Sequence, residues 1–514
     1  MNLIRLMFAA VVLTVFVPVA SSQYTPEKFV ENELLIKVSA TGGESRVLLR
    51  LRDLKANVLE RLADTGWQRI KFKEDTDLRQ AIKRLEATDG IEAVQRNFYY
   101  DLQATPNDPQ FSAAGMYGLT KISAPAAWDI TTGSSSVVVA NIDTGARYTH
   151  EDLAANIWTN SGEINNNGID DDNNGFVDDF YGWDFFFNDS NPLDEHGHGT
   201  HTAGTIGALG NNNIGVVGVN WNVRVMTIKI YNSSGTGSTS AMLVNAYSYI
   251  RMMKERGVNI RVTNNSYGGC DEACGYDQAT KDALDAMGNV GILNVFAAGN
   301  NGRNTDTNPF YPASYSSPTI ISVANSTSTD TRSGSSNFGV ETVDLAAPGT
   351  SILSTTRGTD SSYGTMSGTS MAAPHVSGVA ALLAARDPSL TPASIKASIL
   401  NSVDVLTGWS SLVKTGGRLN AAMALQNPTI CNFNLSSGPI NVRTKGGIYT
   451  VNVSPGPNCD YSVKSDRNWI FVHGEEVRSG NGTVTFRVPV NTTISRTGTV
   501  TIGGRVLTVV QSRN

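Results

Sequence analysis

The chain reads as an α/β protein built on a doubly wound parallel sheet, with a small α+β unit before it and an all-β sandwich after it. Three observations predict this. Between residues 105 and 427, apolar runs without polar alternation, at 137–142, 260–264 and 292–297, each give way to Gly-rich turns and small-residue helical stretches. Strands buried on both faces have that pattern, and their alternation with helices argues parallel pairing. Residues 23–104 differ, being rich in Lys, Arg, Glu and Leu with almost no Gly–Asn loops. Residues 428–514 change again, to short period-two runs at 449–453, 483–488 and 499–502 separated by Gly, Asn and Pro, the pattern of a small sandwich. A length of 514 residues is too great for one domain.

Taken in order, residues 1–5 carry a positive charge, residues 6–19 are almost wholly apolar, and Ala20, Ser21 and Ser22 are small. The apolar run is short for a membrane span and Pro18 interrupts it. The expectation is a cleaved signal peptide over residues 1–22, no stable membrane anchor and a secreted, extracellular product. In the next unit, residues 34–38 read as a strand, 46–62 and 77–85 have helical apolar spacing, and 91–100 read as an edge-like strand. A net charge of −6 gives no reason to expect nucleic acid or an anionic membrane as partner. Four cysteines in an exported chain admit disulfides. Cys270 with Cys274 and Cys431 with Cys459 is the expected pairing, free thiols the alternative. No His lies near a Cys at ligand spacing, which argues against zinc.

The chemistry sits in four segments, in chain order NIDTGA, HGHGTHTAG, AAGNNG and SGTSMAAPH. They supply a carboxylate (Asp143), an imidazole (His198), an amide (Asn300) and a hydroxyl (Ser370). Asp143 ends an apolar run, and ligands of parallel sheets bind at the carboxyl ends of strands. A serine hydroxyl needs an adjacent base, an imidazole serves near neutral pH, and a carboxylate behind it fixes its tautomer. The oxyanion then needs donors set in advance, here the Asn300 side chain and the Ser370 N–H. Each motif alone is more often a plain turn. Together and in this order they specify a serine peptidase. His196 and His201 are the rivals for the base; His201 falls on the helix, and His196 just before it.

With those segments, the chain resembles the subtilisin-like serine proteases (subtilases), whose members use the order Asp, His, Ser. The likeness covers roughly residues 105–425, and the start Thr105, Pro106, Asn107, Asp108, Pro109 looks thermitase-like. The resemblance implies an endopeptidase that hydrolyses protein and peptide substrates through an acyl-enzyme. It implies an extended substrate held between residues 225–239 and Ser266, Tyr267 and Gly268. Ala297, Ala298 and Gly299 would form a P1 wall, with Phe310 at the floor making the pocket shallow and favouring small to medium P1 side chains. A cis bond is expected between Tyr311 and Pro312. Residues 23–104 resemble an inhibitory propeptide, removed by autocleavage near residues 102–104, so the chain would be made as a zymogen with its own propeptide as intramolecular inhibitor.

Calcium is the expected cofactor, in two places. The resemblance implies a site with side-chain oxygens of Asp108, Asp152 and Asn212 and carbonyls of Leu209, Ile214 and Val216. Independently, Asp170, Asp172, Asn174 and Asp178 alternate oxygen ligands around a Gly turn, as in the early part of an EF-hand loop but without its Glu. A solvated acidic turn is the alternative. In the last unit, Cys431, Leu435, Cys459, Trp469, Ile470 and residues 496–500 resemble a BACON-like domain, which implies glycan or protein binding, with a spacer or stabiliser as the alternative. Two rival functions stand beside the peptidase: a catalytically silent scaffold, and an adhesin-like binding protein that works through its last domain.

Overall fold

The structure is a computed structural model that describes residues 29–39, 43–98, 104–111, 116–269 and 275–513. The expected signal peptide, the Cys270–Cys274 pair and most of the expected cleavage stretch lie outside the described residues. The chain divides into two compact units, Met1–Leu102 and Gln103–Asn514.

The first unit runs Phe29–Val38 (β1), Glu44–Asp53 (α1), Asn57–Leu62 (β2), Trp67–Lys71 (β3), Leu78–Glu86 (α2) and Ile91–Phe98 (β4). Its antiparallel sheet has the order β2-β3-β1-β4, so β4 is an edge strand. Leu34, Ile36, Val47, Leu51, Ile70 and Leu85 pack as its core. The Asp77 side chain accepts from the N–H groups of Arg79 and Gln80 and so starts α2. The helix expected over 46–62 stops at Asp53. The backbone turns through Lys55 at φ 53°, and residues 57–62 pair with β3 instead, leaving Val58 and Leu59 exposed. Ladder hydrogen bonds on an open sheet edge outweigh a helical spacing that would have buried little.

The second unit contains Tyr117–Lys121 (α3), Ala124–Trp128 (α4), Gly133–Asp143 (β5), Gly182–Asp184 (β6), His198–Gly207 (α5), Asn222–Lys229 (β7), Ser240–Glu255 (α6), Ile260–Asn265 (β8), Gln278–Asn289 (α7), Leu293–Ala297 (β9) and Ile320–Ser326 (β10). Leu345–Pro348 (β11), Ile352–Thr355 (β12), Tyr363–Met366 (β13), Thr369–Arg386 (α8), Pro392–Leu400 (α9), Asp404–Val405 (β14), Gly417–Arg418 (β15) and Ala421–Gln426 (α10) follow. The large sheet has the order β14-β15-β11-β10-β9-β8-β5-β7-β6 and is parallel except at β14. Val137 and Val139 enter one core with Ala203 and Val376, while Val138, Ala140 and Ile142 enter another with Tyr247 and Leu284. Both faces of β5 are therefore covered, which is why its sequence lacks polar alternation.

The last strands are Ile440–Val442 (β16), Gly447–Val453 (β17), Asp460–Ser465 (β18), Phe471–His473 (β19), Val477–Ser479 (β20), Gly482–Val488 (β21), Arg496–Ile502 (β22) and Arg505–Gln511 (β23). They form sheets of order β16-β23-β22-β18-β20 and β17-β21-β19 around Val451, Tyr461, Phe486 and Val500. This sandwich is seated on α9. The Lys396 ammonium donates to Asp460 Oδ2 (2.8 Å) and to the carbonyl of Ile320 (2.6 Å) and lies 4.0 Å from Asp344. Beside it, Cys431 and Cys459 form a disulfide with a Cα–Cα distance of 5.6 Å, and the Cys431 N–H donates to Ser394 Oγ.

Candidate active site

The parallel sheet places Asp143 at the carboxyl end of β5 and starts α5 at His198 beside it. Asp143 is buried, and His198 Nδ1 lies 2.7 Å from its Oδ1. An ionised carboxylate only accepts, so Nδ1 carries the hydrogen and Nε2 is left as the basic nitrogen. Asp143 is held in turn by the Thr144 N–H (2.7 Å) and the Thr202 hydroxyl (3.2 Å). The approach of α5 to the strand end is tight. A Cβ at Gly199 would collide with the carbonyl oxygen of Gly145, so only glycine fits there. Burial pulls the His198 pKa down, but the charge and hydrogen bond of Asp143, with the charge of Asp194, outweigh it, and the net shift is upward from the ordinary imidazole value.

The rival histidines separate cleanly. His201 is fully buried with Nε2 on the carbonyl of Ile352 (2.8 Å), and burial lowers its pKa to about 4. It has no access to substrate. His196 lines the cleft next to His198, but among the described residues no carboxylate pairs with its ring.

Ser370 is the second residue of α8, in the first turn, where the helix leaves N–H groups without intrahelical partners. Its hydroxyl donates to the carbonyl of Ser266 (3.0 Å), and the Ser266 hydroxyl donates to the carbonyl of Ser370 (2.8 Å). The hydroxyl hydrogen is thus directed to Ser266 and not to His198 Nε2. Asn300 Oδ1 accepts from the Thr369 N–H (2.9 Å) and hydroxyl (3.1 Å). Spending the carbonyl oxygen on Thr369 fixes the amide and leaves its NH₂ as the free donor.

Asp143, His198, Asn300 and Ser370 line one open cleft of about 390 Å³. Ser266, Tyr267, Gly268, Ala297, Gly299 and Phe310 line it with them. Ala298 does not: successive residues leaving β9 alternate sides, and Ala298 is buried against Ala324, Ala346 and Trp409. The ring of Phe310 rests on glycine; a Cβ at Gly268 would lie 2.7 Å from Phe310 Cε1 and one at Gly299 2.9 Å from it. The Tyr311–Pro312 bond is cis. A second hollow of about 960 Å³ shares Tyr231, Tyr267, Gly268 and Gly269 with the cleft and extends it past Tyr311 and Tyr315.

Two carboxylate groups have the chemistry of hard-cation sites. Asp108 and Asp152 are buried side by side, and among the described residues no basic side chain pairs with either. Asn212 Nδ2 donates to Asp152 Oδ1 (2.8 Å), the Val216 N–H to Asp152 Oδ2 (2.8 Å), and the Ile214 N–H to Asn212 Oδ1 (2.8 Å). The Leu209 N–H donates to the carbonyl of Asp152, so the expected ligand residues share one loop pair. Burial, with the charge of Asp108, raises the Asp152 pKa to about 6 against the lowering pull of Asn212 and Val216. The donor set fits a divalent cation. In the acidic loop, Asp172 meets Glu163 and Asp179, with ligand oxygens within 4.8 Å of one another. Asn174 donates to Asp179 (2.9 Å), and among the described residues the buried Glu163 Oε2 has no hydrogen-bond partner. Asp170 is turned instead to the N–H groups of Asn174 and Gly175, and Asp178 to those of Asn167 and Gly168. Glu163 and Asp179 escaped the sequence reading because their convergence is set by the fold, not by spacing in one loop.

Residues 134–428 match the subtilase family, and residues 17–97 match the fervidolysin N-terminal prodomain. The chain is similar to thermitase of Thermoactinomyces vulgaris, 38% identical over 322 residues that cover 63% of this chain and 99% of the relative. A thermophilic serine proteinase of a Bacillus strain is 33% identical over 378 residues, 72% of this chain and 83% of the relative. An extracellular protease of Xanthomonas campestris is 30% identical over 466 residues, 84% of this chain and 74% of the relative. A cold-adapted subtilisin-like serine proteinase of solved structure covers 56% of this chain and 90% of its own at 29% identity, with a TM-score of 0.44. The chain belongs to the subtilase family and is a subtilisin-like serine endopeptidase with an N-terminal prodomain.

Proposed function

We propose that Asp143, His198 and Ser370 are the working triad of this endopeptidase and Asn300 its oxyanion donor. The observation that carries the proposal is the carboxylate–imidazole bond at 2.7 Å, in the same cleft as a serine at a helix N-terminus and an amide whose NH₂ is free. Once its hydroxyl turns from Ser266 to His198, Ser370 attacks the scissile carbonyl while Nε2 takes its proton. The imidazolium returns that proton to the leaving amine, and Asn300 Nδ2 with the Ser370 N–H holds the oxyanion. The substrate lies extended along Ser266, Tyr267 and Gly268, and its P1 side chain meets the Phe310 ring between Gly268 and Gly299. Small and medium P1 residues are favoured on that geometry.

The chain is exported behind residues 1–22, its inhibitory prodomain (residues 23–104) is removed by autocleavage, and the peptidase domain spans 105–427 with the sandwich at 428–514. A relative named an extracellular protease supports export, as does the prodomain match. Among the described residues no helix is long and apolar enough to cross a membrane. Calcium is held by Asp108, Asp152 and Asn212, and a second ion by Glu163, Asp172 and Asp179; each neutralises buried carboxylates and stabilises the fold by mass action. The sandwich serves as a brace, because its Asp460 closes over the buried Lys396 ammonium. The proposal is tested by reacting the purified chain with a fluorophosphonate probe and mapping the adduct. Labelling confined to Ser370 supports the triad; no labelling, or labelling at another serine, contradicts it.

A further inference from the structure

One buried carboxylate near the cleft has no part in the triad. Asp194 lies four residues before His198, 5% exposed, and no cationic side chain pairs with it among the described residues. Five donors converge on it. Its Oδ1 accepts from the Thr144 hydroxyl (2.9 Å) and from the N–H groups of His196 (2.9 Å) and Gly197 (2.7 Å). Its Oδ2 accepts from the N–H (2.8 Å) and hydroxyl (2.6 Å) of Thr200. Only an acceptor-only group satisfies all five, since an amide would turn its NH₂ on two of them.

The partners matter more than their number. Gly197 and Thr200 lie at the start of α5, whose first residue is His198. Thr144 follows Asp143 at the end of β5 and also accepts the Gly199 N–H (2.9 Å). Asp194 therefore ties the turn carrying the imidazole to the strand end carrying the carboxylate behind it. There is an electrostatic side as well. The positive end of a helix disfavours an imidazolium at its first residue. A buried negative charge among those N–H groups opposes that field.

We propose that Asp194 is a positioning residue for His198, fixing the α5 start against β5 and holding a second negative charge behind the imidazolium that forms during turnover. The inference rests on the reading of His198 as the base. The upward shift of the His198 pKa, to which Asp194 adds its charge, agrees with it. Other groups around the imidazole are Asp143 on β5, Glu195 and His196 on the preceding loop, and His201 on α5. Lys229 on β7 is paired to Glu195 and Asp184, Tyr231 follows it, and Arg357 packs on Gly197. Lys229 is already balanced by its two carboxylates, and among the described residues neither it nor Arg357 forms an ion pair with Asp194.

The test measures kcat, KM and the pH profile of kcat/KM on a soluble peptide for the mature enzyme and two variants. Asp194→Asn is expected to lower kcat about ten- to a hundredfold with KM within about twofold, and to move the acidic limb about half to one pH unit lower. The sign follows from the charge: without it the imidazolium is less stabilised, its pKa falls, and the neutral base persists to lower pH. Thr144→Val keeps the Asp194 charge and cuts the tie, so kcat should fall with the limb unmoved, and Thr144→Ser should restore it. If Asp194→Asn does not mature, the Thr144 pair decides by the same readout. Wild-type kcat and an unmoved limb in Asp194→Asn, or unchanged kcat in Thr144→Val, overturns the proposal. Failure of the triad reading looks different: Ser370→Ala would then keep its activity.

Discussion

Two buried charge networks in the second unit solve the same problem in opposite ways. At the cleft, Asp143 and Asp194 are held by N–H and hydroxyl donors, and the cation that pairs with Asp143 is an imidazole that comes and goes with a proton. At the junction of α9 with the sandwich, a permanent ammonium meets a permanent carboxylate, and both are sealed, with side-chain exposures of 4% for Lys396 and 5% for Asp460. The His198 side chain, at 23%, stays open to the cleft. Burial is costly in both places. The cleft accepts that cost to keep a base that can gain and lose a proton, and the junction uses it to fix one domain on another.

The largest effects should separate the two networks. Asn300→Ala removes the oriented oxyanion donor and should lower kcat about a hundred- to a thousandfold, with the melting temperature unchanged; steady-state kinetics and thermal unfolding check both halves. Lys396→Met should do the reverse. It strands Asp460 and Asp344 in the junction and should cost about 3–5 kcal/mol of stability, read in an inactive Ser370→Ala background to prevent self-digestion. Lys396→Met/Asp460→Leu should recover much of that loss, because removing both partners leaves no orphaned charge. A double variant as unstable as the two single losses summed would break the comparison.

Chelation sharpens it through Asp152. Its folded pKa of about 6 lies above the usual carboxylate value, so without a cation the folded state binds the extra proton. The penalty of the ionised form is therefore complete above pH 6 and disappears as pH falls toward 4. Chelator should accelerate thermal inactivation strongly at pH 8 and much less at pH 5. Equal sensitivity at the two pH values would argue that Asp152 holds no cation. The smallest expected effect is on specificity. Phe310→Ala should raise kcat/KM for a P1 Phe peptide relative to P1 Ala by about tenfold, through space freed in an apolar pocket.

The sequence reading was strongest where chemistry is local. The short Gly-rich segments pointed to Asp143, His198, Asn300 and Ser370, which line one cleft, and the doubly covered strands were legible from their missing polar alternation. It was weakest where contacts are long-range. Residues 57–62 have helical spacing but became a strand because β3 offered an open edge. Asp194 looked like any loop acid, since its role depends on Thr144, fifty positions away. Ala298 belonged to the cleft by proximity in sequence, yet strand alternation turned it inward. Glu163 and Asp179 lie sixteen residues apart and meet only through the packing of Asn160 and Tyr249 around Asp179.

The central claim is that a carboxylate, an imidazole and the Ser370 alcohol act as one unit. Expression of the full chain as Ser370→Ala, followed by intact mass and a casein assay, tests it most directly. The account predicts proteolysis reduced by roughly a millionfold and residues 23–104 still covalently attached. A product that loses that segment by itself, or still cleaves casein at a wild-type rate, would contradict it.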